Sequence, residues 1–399
     1  MIFDIERVRA AYPALGEGFA MFDGAAGTQV AAPVADAIAD TLRAAVSNRT
    51  PSHLPGRRST GIVEQARAAV ADLVGGVPEG VAFGPGATDL TYVVARALAR
   101  TWRPGDEVVV TRLDHDANVR PWVQAAESAG ATVRWATFDP ASGELPTGQY
   151  EELIGPRTRL VAVTAGSNAI GTIPAVREIA DLAHAAGALT YVDGVHATAH
   201  RPTDVRALGA DFYVTSAYKW SGPHLGAVIA DPALLETLRP EKLVPSSDAV
   251  PERFEFSTRN FELLSGVTAA VSHLAGLVLT GGSRRERVLA SLAAAEAYEH
   301  SLLEKLVKGL AALPDVTMLP APAQRCPTVA FRVAGQAPAE TARLLGEQGI
   351  CVMAGDYYAY EYFTAMGLRD SGGAVRVSIY HYNTEAEVDR LLTALGAFR

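Results

Sequence analysis

Two cysteines, four lysines and no long apolar run set the first limits on this chain of 399 residues. Cys326 and Cys351 give no metal spacing and allow at most one disulfide, and no metal is expected. No apolar stretch approaches the ~18–20 residues a membrane-spanning helix needs. The N-terminus, Met1-Ile2-Phe3-Asp4-Ile5-Glu6-Arg7, is too acidic for a secretory signal, so the expected location is cytoplasmic. Positive charge is also scarce. A net charge of −9 argues against nucleic acid or an anionic membrane as a partner. No internal repeat or low-complexity tract stands out. What remains is an ordinary globular composition, 49% hydrophobic and 20% charged, in a chain long enough for two domains.

From about residue 60 to 235, helical and strand patterns alternate. Helices are expected at 61–74, 88–100, 119–129 and 175–186, with strands at 107–111, 132–138, 159–163, 189–193, 211–215 and 226–230. Such alternation predicts a largely parallel sheet covered on both faces. Residues 240–251, with two serines and three prolines, read as a linker or active-site loop. Alanine- and leucine-rich helices follow at 262–279 and 283–312, then strands at 327–333 and 374–380. This shift marks a smaller α+β domain. The expected division is 20–255 for the large domain, with 1–19 and 256–399 in the small one.

Three of the four lysines, Lys242, Lys305 and Lys308, sit in charged contexts. Lys219 instead ends an apolar run and precedes a Gly-Pro turn, and upstream Asp193 ends another such run. A lysine and an aspartate at two buried strand ends suit pyridoxal phosphate (PLP): the amine binds the cofactor, and the carboxylate keeps its ring nitrogen protonated. A strand-end lysine is commonly a snorkelling surface residue, so its surroundings carry the case. The glycine turn Gly84-Pro85-Gly86 opens into a helix beginning at Ala87-Thr88, where free N–H groups suit a phosphate. His115 and Asn168 follow two further strands, where open α/β sheets bind ligands.

Taken together, these residues resemble the fold-type I PLP enzymes of the class V aminotransferase group, in the cysteine desulfurase-like branch. The likeness runs from Asp23-Gly24-Ala25-Ala26-Gly27-Thr28 to Tyr382-Asn383-Thr384 and Glu387-Val388-Asp389. It implies a mostly parallel seven-stranded large domain, a homodimer with a shared active site, and an amino-acid substrate. By that resemblance, Lys219 carries the cofactor, Asp193 pairs with its ring nitrogen and His115 stacks on its ring. Asn168 and His196 lie near its phenolate oxygen, where the family usually has Gln in place of His196. Ala87, Thr88 and Ser216 hold its phosphate beside Tyr218, and Thr258 reaches the neighbouring subunit's phosphate. Arg376 binds the substrate carboxylate, an anion its planar fork fits bidentately. Ala25, His53, Tyr357 and Tyr358 complete the substrate side, and Arg57-Arg58 is a candidate neighbour.

One position departs from the pattern. Where desulfurases carry a mobile cysteine, in a loop after a Gly-Ile-x-Val strand, this chain has Tyr358. Cys351 lies seven residues earlier and reads as a core residue. The expected reaction is therefore β-elimination at a cysteine S-conjugate, in sulfur or antibiotic metabolism. Decarboxylative oxidative deamination, transamination and epimerisation are the alternatives within PLP chemistry. A binding or regulatory module is the non-enzymatic one.

Overall fold

Strands such as Glu107–Thr111, Phe212–Ser216 and Gly226–Ala230 bury every residue, as their unbroken apolar character demands of a sheet covered on both faces. The computed structural model describes residues 3–398, so Met1, Ile2 and Arg399 of the expected termini lie outside it. The large sheet has seven strands in the order Val81–Gly84, Gly226–Ala230, Phe212–Ser216, Leu189–Asp193, Thr158–Thr164, Glu107–Thr111, Thr132–Ala136. Only Gly226–Ala230 runs against the rest. The four-residue Val81–Gly84 strand was too short to stand out in the sequence.

Alternate residues of these strands feed two cores. Val108, Val110, Tyr191, Phe212 and Val214 meet the Ala87–Ala99 and Arg120–Ala129 helices. Val109, Val161, Val192 and Tyr213 meet Leu54–Val74, Val176–Ala185 and Phe261–Leu274. Phe261–Leu274 thus belongs with the large core, past the expected boundary at residue 255. The 28-residue Arg284–Ala311 helix straddles both parts. Its Val288, Leu292 and Ala295 pack on the large core, whereas Leu302, Leu303, Leu306 and Leu310 pack on the small one. Arg284 pairs with Asp72 at 2.7 Å, and Arg285 donates to the carbonyls of Asp72 and Leu73, satisfying the open end of the Leu54–Val74 helix.

The small sheet is antiparallel, in the order Met353–Gly355, Ala374–Ser378, Thr328–Val333, Val316–Met318. The N-terminal segment is stitched to this part, since Ala20–Met21 pairs with Ile350–Cys351 and Asp23 bridges Ser378. Residues 241–249 are irregular and mostly exposed and line neither cavity described below.

Candidate active site

The C-terminal ends of the parallel strands open onto two connected cavities, the position open α/β sheets use for ligands. The inner one, about 120 Å³, is lined by Ala87, Thr88, His115, Asn168, Asp193, His196, Ser216, Tyr218 and Lys219. The outer one, about 810 Å³, shares Thr88, His115, Asn168, Tyr218 and Lys219 and adds Ala25, Tyr357, Tyr358 and Arg376.

Lys219 follows directly on the Phe212–Ser216 strand, in a single turn at Ala217–Lys219. The turn is held by Trp220 Nε1 donating to Thr215 at 3.0 Å and by Thr28 N donating to the Tyr218 carbonyl at 3.0 Å. Lys219 is buried and forms no ion pair among the described residues. Burial, reinforced by the Arg376 charge, lowers its amine to about 8 against the pull of Asp193 and Asp23. Asp193 ends the adjacent strand and accepts from Val195 N at 2.8 Å. Burial raises its carboxyl, and Lys219 offsets part of that rise.

At the glycine turn expected to hold a phosphate, Gly86 precedes the Ala87–Ala99 helix and Ala87 N donates to Ser216 Oγ at 3.3 Å. The turn lies so close to the sheet that a Cβ on Gly226 would stand 2.4 Å from the Gly86 carbonyl carbon. Behind it, the buried Glu255 accepts from Phe83 N at 2.9 Å while pairing with Arg67 and Arg259.

His115 Nδ1 accepts from Ala117 N at 3.0 Å, so the ring's proton sits on Nε2. Burial first, then Lys219 and Arg376, lower it to about 3, and it is neutral. Tyr358 stacks on it with centroids 5.5 Å apart. Tyr357 and Tyr358 are consecutive residues with positive φ, +49° and +59°, a costly conformation for aromatic residues that marks functional loops. The loop is tied down where Asp116 N donates to the Tyr358 carbonyl at 2.7 Å and Asn168 Nδ2 to the Tyr357 carbonyl at 2.9 Å.

Arg376, buried in the Ala374–Ser378 strand, donates to the Asn168 carbonyl at 3.0 Å and meets Asp23 at 3.4 Å. Burial raises Asp23 to about 6 although Arg376 opposes it. Asp23 was not expected at the site, because no local spacing links it to an arginine 353 residues away.

Two expected residues stay outside the cavities. His53 is exposed and caps the Leu54–Val74 helix, its Nδ1 accepting from Gly56 N. Thr258 is exposed beside Phe256 in a separate groove of about 630 Å³ and lines neither cavity of its own chain. Arg57 and Arg58 bind the carbonyls of Pro51 and Ala45 instead. Both cysteines are free. Burial pushes Cys326 up to about 12. Cys351 is half-buried rather than a core residue, because its two-residue strand lies at an edge, and burial and Asp23 raise its thiol.

The site's open valences fit PLP. Asn168 Oδ1, His196 Nδ1 and Arg376 Nε are buried without partners, and buried polar groups ordinarily have one. They surround an unpaired amine, next to a helix start whose N–H groups suit a phosphate.

The family model described as "Aminotransferase class-V" matches residues 20–391. An uncharacterized protein of Mycobacterium tuberculosis is 37% identical over the full length of both chains. A probable cysteine desulfurase of Pseudomonas aeruginosa is 36% identical, covering 97% of this chain and 96% of its own. Among solved structures, the cysteine desulfurase CsdA of Escherichia coli superposes with a TM-score of 0.87 at 28% identity, covering 99% of this chain and 98% of its own.

Proposed function

The chain belongs to the class V aminotransferase family and is a PLP enzyme of the cysteine desulfurase-like kind; from that premise, we propose that it is a lyase eliminating a thiol from cysteine S-conjugates. The single observation that carries this reading is the loop after Met353–Gly355. By the resemblance Tyr358 stands where desulfurases carry their cysteine, and neither Cys326 nor Cys351 lines either cavity. Without a thiolate to take the sulfur, the substrate's sulfur must leave as a thiol, with pyruvate and ammonia as the other products after addition of water.

Lys219 would hold PLP, with Asp193 at its ring nitrogen, His115 against its ring and the Ala87–Thr88 turn with Ser216 at its phosphate. When bound, it supplies an electron sink for the Cα–H bond. Arg376 offers its unpartnered Nε to the substrate carboxylate. Lys219, its amine lowered to about 8 and so neutral in part at that pH, takes the Cα proton once its amine is free. The tied-down Tyr357-Tyr358 loop covers His115 and narrows the entrance. We further propose a homodimer in which the exposed Thr258 completes the neighbour's phosphate site.

Incubation with S-methyl-L-cysteine tests the reading. Methanethiol with equimolar pyruvate supports it, and a requirement for a keto-acid acceptor, or release of CO2, removes it.

A further inference from the structure

We propose that Thr328, braced by Ser378, fixes the tautomer of His196, so that Nδ1 carries the proton and serves as a donor in the cofactor pocket. Both the tautomer and the donor role rest on the PLP reading. Thr328 and Ser378 stand opposite each other on paired strands of the small sheet. Their hydroxyls are 2.8 Å apart, and Thr328 Oγ1 is 3.0 Å from His196 Nε2. All three residues are buried.

Counting hydrogens decides the direction. If His196 Nε2 held the proton, Thr328 would accept it and pass its own hydrogen to Ser378. The Ser378 hydrogen would then face the core with no other acceptor among the described residues, an unsatisfied donor costing about 1–3 kcal/mol. In the reverse direction Ser378 donates to Thr328 and Thr328 donates to Nε2, so both hydroxyl hydrogens are used, and the one donor left open is Nδ1, which has no partner among the described residues and awaits a cofactor acceptor. Nδ1 then carries the ring proton.

Burial, with His200, Lys219 and Arg376, holds His196 well below its ordinary titration range, so the ring is neutral and only its tautomer is open to choice. Ser378 lies two residues after Arg376, so the strand that holds the substrate carboxylate also sets this ring. Thr328 and Ser378 are positioning residues.

The test is imidazole nitrogen NMR on the holoenzyme with isotopically labelled histidine, the His196 signals being identified by their loss in His196→Gln. The expected spectrum shows a neutral ring protonated on Nδ1. Thr328→Val should populate the Nε2-protonated form and raise the pH midpoint of the bound cofactor's absorbance change, and Thr328→Ser should restore both. Ser378→Ala should keep the Nδ1 form, because Thr328 can still donate to Nε2. Wild-type His196 protonated on Nε2, or a wild-type spectrum in folded Thr328→Val, overturns the proposal. A protein that takes up no PLP shows no visible band yet still reports its tautomer, so the two failures are distinct.

Discussion

At the scale of single residues the account turns on Lys219. Its amine is lowered to about 8, so the neutral, reactive fraction passes through its midpoint near that pH and levels off above it. The rate at which cofactor-free protein captures PLP should follow the same curve; a rate still climbing toward pH 10 contradicts the assigned environment. Lys219→Ala should lose the visible absorbance of bound cofactor and all turnover while keeping its circular dichroism. Cys351→Ser should leave turnover unchanged, because the thiol lines neither cavity; loss of activity would return a role to it. Lys219 and Asp193 were legible in the sequence because each ends an apolar strand and needs only local context. Asp23 was not, since its place is set by the pairing of Ala20–Met21 with Ile350–Cys351, a contact no local pattern encodes.

Among elements, the phosphate turn depends on its support. Glu255 holds Phe83 N and two arginines in a buried network, and removing one member leaves buried charges uncompensated. Glu255→Ala should cost about 3–5 kcal/mol of stability and weaken PLP retention, as read by denaturant unfolding and by cofactor loss on dialysis. An unfolding midpoint equal to wild type contradicts this role. The alternating helices and strands of 60–235 were readable from periodicity, because both cores demand continuous apolar strands. Val81–Gly84 and Met353–Gly355 escaped, being too short to carry a period. The positive φ of Tyr357 and Tyr358 left no trace either, since aromatic residues do not announce that conformation.

For the whole molecule, the groove beside Thr258 and the exposed Phe256 is where a second copy is proposed to dock. Inactive Lys219→Ala and Thr258→Arg chains, combined in verified heterodimers, should regain activity, because one site then has both an intact lysine and an intact threonine. No recovery would place Thr258 outside the site. A change in composition after residue 250 suggested two parts, whereas the Arg284–Ala311 helix serves both cores with one continuous pattern that marks no seam. The central claim is that this desulfurase-like scaffold eliminates thiols without a protein thiol. The direct measurement is mass spectrometry of the holoenzyme after incubation with L-cysteine, with pyruvate assayed in the same sample. The account predicts pyruvate and free sulfide with no sulfur added to the protein. A stoichiometric persulfide on Cys351 or Cys326, with alanine in place of pyruvate, contradicts it.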